Sequence, residues 1–124
     1  MTPHQQAQFF SQLAMLLDSG LTVTQSLERI MRGSSAKQER YLNRVHVAMS
    51  LGDSFAAALA QVSRLVDRWT VSLIQMAEAH GILADMCYRI AQEAEQRQRR
   101  ALLYRSVQIA AQTNKFCLVV MVNA

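Results

Sequence analysis

Residues 13–30 read LAMLLDSGLTVTQSLERI. An apolar helix runs to Asp18, Gly20 interrupts it, and a new helix begins at once. Gly20 takes the left-handed conformation that closes a helix without a Cβ penalty. Thr22 and Gln25 then form a capping box, the hydroxyl taking the N3 amide and the Gln25 side chain reaching back to the cap. The same design recurs twice. Residues 45–61, VHVAMSLGDSFAAALAQ, turn at Gly52, and residues 73–91, LIQMAEAHGILADMCYRIA, turn at Gly81. Three such turns joined by short connections predict neighbouring helices that are antiparallel or sharply angled.

The rest of the chain extends this pattern. Thr2-Pro3 reads as N-cap and N1, a place where a missing N–H costs nothing. Phe9, Phe10, Leu13, Leu16 and Leu17 form the first apolar stripe. Val23, Leu27, Ile30 and Met31 line the second helix, which Gly33 ends. Ser35 and Gln38 repeat the capping-box spacing, followed by Leu42, Val45 and Met49. Asp53 or Ser54 caps a short helix carrying Phe55, Ala58, Leu59 and Val62. Residues 63–67 form a connection, and Asp67 caps a fifth helix with Trp69, Leu73, Met76 and Ala77 as its stripe. The last helix starts near Leu83, buries Met86, Cys87, Ile90 and Ala94, and runs to about Gln112. The expected fold is all-α, an antiparallel bundle of about six helices without a sheet. The domain is expected over residues 1–112, with a short tail over 113–124.

Composition agrees. The 124 residues suffice for one core, and 51% are apolar while only 6% are aromatic, which favours helix over sheet. No run reaches 18 apolar residues, so none is read as a membrane span, and the N-terminus has no basic region ahead of an apolar one. Two cysteines, Cys87 and Cys117, are too few for a disulfide framework, and a reducing compartment is the simpler expectation.

Residues that carry chemistry are sparse. His4, His46 and His80 are far apart, and none lies one helical turn from another histidine or a cysteine. There is no GxGxxG, P-loop or HExxH pattern. Neither a catalytic residue nor a cofactor or metal is expected. Glu78 stands out because it lies in the last turn of a helix, where the dipole disfavours negative charge. It needs compensation: a buried hydrogen bond, a cation from another helix, or a divalent ion shared with Asp85. Arg97, Arg99, Arg100 and Arg105 form a basic cluster with three readings: contacts to nucleic-acid phosphates, a solvated helix face helped by Glu93 and Glu95, or a positive cluster beside a membrane.

Taken in order, the three glycine turns resemble the cytoplasmic domain of the type II secretion F family. Phe9, Gln12, Leu13, Ala14, Leu16, Leu17, Gly20, Leu21 and Leu27 match its F-x-x-Q-L-A-x-L-L-x-x-G-L-x-x-x-x-x-L pattern. Gly52, Ser54, Ala58 and Leu59 match G-x-S-x-x-x-A-L. Ala77, Glu78, Gly81, Leu83 and Cys87 stand on G-E-x-x-G-x-L-x-x-x-L, with Ala77 in place of glycine and Cys87 in place of leucine. The resemblance covers about residues 8 to 105. It implies a non-enzymatic scaffold on the cytoplasmic face of the bacterial inner membrane, serving type II secretion or type IV pilus assembly. Its implied partners are an assembly ATPase, other platform subunits and a second copy of the domain in a homodimer. Gly20, Gly52 and Gly81 are implied to be structural, Glu78 and Asp85 to serve structure or an interface, and the four arginines to lie near the membrane. The family's last helix leads into a transmembrane segment; here Arg105, Gln108, Gln112, Asn114 and Lys115 interrupt it, so that segment is missing from these residues. The alternative is a basic helical domain that binds nucleic acid, although the family match implies no nucleic-acid partner.

Overall fold

The computed structural model describes residues 1–62 and 65–123, the last of them, apart from Met121, by backbone alone from residue 116 onward. Six helices and no strand occur among the described residues: α1 (Pro3–Asp18), α2 (Val23–Arg32), α3 (Ala36–Ser50), α4 (Phe55–Ala60), α5 (Arg68–His80) and α6 (Leu83–Asn123). Each packs on its neighbours in sequence, and α1 against α6 closes the circuit. His4 and Gln6 at the start of α1 meet Gln98 and Arg97 of α6. Since α6 is exposed from Ala101 to Lys115, α1 runs back along its first half. Part of the connection read over residues 63–67, namely Ser63 and Arg64, lies outside the described residues.

Three helix ends share one hydrogen-bond pattern. After α1, Leu21 N–H donates to Leu16 C=O and Gly20 N–H to Leu17 C=O. After α3, Asp53 N–H donates to Ala48 C=O and Gly52 N–H to Met49 C=O. After α5, Ile82 N–H donates to Ala77 C=O and Gly81 N–H to Glu78 C=O. Each pair is a Schellman motif, which supplies carbonyls at the helix end with donors. Its glycine has positive φ: 98° at Gly20, 107° at Gly52 and 69° at Gly81. Gly33 differs, with φ −100° at the end of α2. A Cβ at Gly52 would meet nothing within 4 Å, so the obstacle to a side chain there is the backbone conformation alone. Gly52→Ala is therefore expected to cost about 1–2 kcal/mol. Gly33→Ala should be near neutral, and urea midpoints of the two variants check the contrast.

Helix starts are equally regular. Thr2 and Thr22 each form a complete capping box, with Gln5 and Gln25. Ser35 takes the Gln38 amide, but the Gln38 side chain turns to the Met1 sulfur instead, leaving half a box. Ser54 rather than Asp53 caps α4, and Asp67 caps α5. Because the next cap follows each Schellman glycine after one residue at Leu21–Thr22 and Asp53–Ser54, the chain reverses within a few residues.

The core follows most of the expected stripes. Phe9, Phe10, Leu13, Leu27, Ile30, Leu42, Val45, Phe55, Ala58, Leu59, Val62, Met86, Cys87, Ile90 and Ala94 are all buried. The fifth helix departs. Of the expected stripe Ala77 is buried, but it faces inward with Thr70 and Ile74, whereas Trp69 is 71% and Met76 46% exposed and Leu73 only partly buried. The two stripes have the same spacing and lie one residue apart, about 100° around the helix. Periodicity ranks them by apolar bulk, while the space left by α4 and α6 admits the smaller set.

The last helix also departs from expectation. It runs through position 112 without a break, so the short segment read as a tail over 113–124 is helical to Asn123. No glycine or proline occurs between Leu83 and Asn123 to stop the ladder of backbone hydrogen bonds. Ser106 and Thr113 each turn their hydroxyl to the carbonyl four residues back, on Leu102 and Ile109.

Candidate functional site

Glu78 lies half-buried in the last turn of α5, and both its oxygens are committed to another helix. Oε2 accepts the Phe55 N–H at 3.1 Å and Oε1 the Ala56 N–H at 2.8 Å. These are the first two amides of α4; the third, on Ala57, donates to the Ser54 hydroxyl at 3.1 Å. The amides of Phe55, Ala56 and Ala57, which the first turn of α4 leaves without an intrahelical partner, are thereby supplied. The carboxylate is poorly placed in its own helix and well placed at the positive end of α4. Of the three compensations expected for Glu78, the structure shows the hydrogen bond.

Asp85 does not join it. It is exposed in the first turn of α6, where negative charge suits the helix dipole. That position carries weight because Ile82, at the cap of α6, has no side-chain acceptor. Among the described residues no group of three or more His, Cys, Asp or Glu is placed to hold a metal ion.

The four arginines do not act as one patch. Arg97 turns inward, its Nη2 donating to the buried Gln6 Oε1 at 2.9 Å. Its Nε is buried without a hydrogen-bond partner among the described residues. Arg99 pairs with Glu95 at 3.0 Å and Arg100 with Glu93 at 3.5 Å, both on the surface. Arg105 is exposed. The buried Gln6 that anchors Arg97 gave no sequence signal, since glutamine in a first helical turn usually faces water.

Arg97 also acts on Asp67, the cap of α5. The Thr70 backbone N–H bonds Asp67 Oδ1 at 2.8 Å and, with the Thr70 side chain and then the Arg97 charge, holds the carboxyl below its ordinary pKa against a smaller opposing effect of burial. A depressed folded pKa means stability that is present above about pH 4, where the unfolded group ionises, and lost as pH falls through the folded value. Urea midpoints between neutral pH and pH 3 should therefore fall less steeply for Asp67→Asn than for the parent chain.

The remaining reactive groups are absorbed by structure. Cys87 is fully buried, and burial pushes its thiol up to about 12, which leaves it without thiolate at neutral pH. His46 pairs with Glu28 at 3.0 Å between α3 and α2, His80 bonds the Met76 carbonyl, and His4 meets Gln98. What the surface offers instead is apolar. A groove of about 530 Å³ between α5 and α6 is lined by Trp69, Leu73, Met76, Met86 and Ile90, with Asp67, Arg89, Glu93 and Arg97 at its polar margin. Further along α6, Leu102, Leu103, Tyr104, Val107 and Ile109 are exposed.

These features define a class: a helical module whose polar groups are spent on caps and turns and whose surface carries apolar faces. The family model of type II secretion system (T2SS) protein F matches residues 9–122, nearly the whole chain. The chain belongs to that family, which is one of membrane platforms and not a known enzyme family. Membership ties it to type II secretion or pilus-type systems and to other components of such systems. A comparison with curated proteins gives no match. No helix among the described residues is long and apolar enough to cross a membrane.

Proposed function

We propose that this chain is a non-enzymatic docking domain of an inner-membrane platform, at the cytoplasmic face, which links an assembly ATPase to pilin or pseudopilin assembly and protein transport. The match to the T2SS protein F family over residues 9–122 carries this reading. The structure is compatible with it in two respects. Short Schellman turns and the Glu78 bridge between α5 and α4 make a bundle suited to passing on movement rather than absorbing it. Exposed Trp69 and Met76 leave apolar surface at the α5–α6 groove for partner helices, a use for which aromatic and methionine side chains are well fitted. Other platform subunits and a second copy of the domain complete the set of partners.

The test is a pull-down of the cognate ATPase and platform subunits with the full chain, at low and at physiological salt. Binding that Trp69→Ala weakens is the expected result, and no binding at either salt sinks the docking idea. The nucleic-acid alternative needs a free basic strip, yet two of the four arginines are paired with glutamates and a third is turned toward α1. Labelled DNA and RNA should show no saturable sub-micromolar binding at physiological salt; such binding would restore that alternative.

A further inference from the structure

Lys37, Arg40 and Arg44 are exposed on α3, and none has an ion-pair partner among the described residues. Val47 further along is 48% exposed, and Leu51 at the C-cap 83%. These five positions follow one another at intervals of three, four, three and four. They therefore fall on one line along the helix, about 21 Å from end to end. Three cations occupy its first half and two apolar side chains its second. Glu39, the acidic residue in the first turn of α3, lies about 120° around the helix from this line. That is the side on which His46 meets Glu28 of α2.

Lys37 repeats the anomaly of Glu78 with the opposite sign. It stands in the first turn of its helix, where the dipole disfavours positive charge. Arg40 and Arg44 follow at spacings where like charges repel. Glu78 finds its compensation inside the fold, whereas the described residues pair none of these three cations. An anionic partner would, and the form of the line selects its kind. Three-four spacing is how one helix lies along another. The order of the side chains asks for carboxylates along one half of that helix and apolar groups along the other. Nucleic acid fits less well, because the cations span only about 10 Å and phosphates would leave Leu51 in water. A lipid surface also fits less well. A helix lying on one carries its cations beside an apolar face. Here cations and apolar residues succeed each other on one line, and Asp53 stands exposed next to the apolar end.

We propose that the exposed line of α3 from Lys37 to Leu51 docks an acidic amphipathic helix of another protein. Its carboxylates face Lys37, Arg40 and Arg44, and its apolar side chains face Val47 and Leu51. The charges select the partner and the apolar end fixes its register. The proposal goes beyond the platform reading, since it uses neither the α5–α6 groove nor an ATPase.

The probes are two fluorescently labelled helical peptides, each with three glutamates and two leucines at the same three-four spacing, in opposite orders along the peptide. One of them should bind the full chain saturably, and more weakly as salt rises. Arg40→Glu combined with Arg44→Glu should weaken that binding about tenfold or more. A peptide with lysines in place of the glutamates should then recover it. Leu51→Ser should weaken binding without changing its salt dependence. Thermal melting should be unchanged throughout, because these side chains are exposed. Arg40→Gln combined with Arg44→Gln should act in the same direction, and replaces the charge reversal if that variant does not fold. Trp69→Ala should leave peptide binding intact, so failure here and failure of docking at the α5–α6 groove are separate results. No saturable binding of either peptide overturns the proposal, as does binding that survives loss of both arginine charges. Vesicles of anionic phospholipid, or labelled duplex DNA, that bind the parent chain but not the arginine variant overturn it in favour of that surface if neither peptide binds.

Discussion

Phe10→Ala is expected to destabilise the chain by about 3–5 kcal/mol, the usual cost of removing a buried phenyl ring. Phe10 is wholly buried and meets Phe9 edge-on, with ring centroids 5.0 Å apart and an interplanar angle of 72°. Truncation removes that contact and opens a cavity in the core that joins α1 to the other helices. For a chain of this size the melting temperature should fall by roughly 10–20 °C. Phe10→Leu, which restores most of the volume, should cost far less. Equilibrium denaturation of both variants checks the ratio. Equal losses would mean that ring geometry, rather than filled volume, holds α1 in place.

Glu78→Ala is the second large effect, about 2–3 kcal/mol, the range of a hydrogen bond to a charged group with a backbone donor left unmet. The substitution strands the Phe55 and Ala56 amides at the start of a six-residue helix. A helix that short does not persist alone, so its cap and its tertiary contacts decide whether it forms. Glu78→Gln keeps one acceptor oxygen and loses the charge; its loss should lie between those of the parent and the alanine variant. Amide exchange distinguishes local from global effects: protection should fall first at Phe55 and Ala56. Unchanged melting in Glu78→Gln would show that the carboxylate is dispensable to the fold.

Both effects bear on function through the same frame. α4 and α5 are tied by Glu78, and α5 and α6 border the groove where Trp69 and Met76 remain exposed. Loss of the Glu78 cap should loosen the wall of that groove before the whole chain unfolds. A partner that docks there would then bind Glu78→Ala less well than its melting curve alone explains.

Much of this architecture is legible in the sequence because its signals are local. A glycine two residues before Thr22 or Ser54 specifies a helix end and the next cap through hydrogen bonds that span only a few residues. The stripes of α1 to α4 are single and bulky, so period and size agree on the inward face. Family membership is legible for the same reason, since its motifs are these turns. Glu78 is legible as an anomaly, a carboxylate at the wrong end of a helix, because the dipole argument needs only the helix boundary.

What Glu78 bonds to was decided only by the tertiary structure, which brings residues 55 and 56 beside residue 78. The same holds for α5, where two stripes of equal period compete and the fit against neighbouring helices selects Thr70, Ile74 and Ala77. It holds for Arg97, which the sequence groups with Arg99 and Arg100 but which the packing of α1 on α6 turns toward Gln6. Sequence by itself determined where the helices before the last one end and where most of the next begin, because those choices are made by dihedral angles and hydrogen bonds within one turn. Only the fold determined which faces meet and which polar groups are shared, because those depend on distances between residues far apart in the chain.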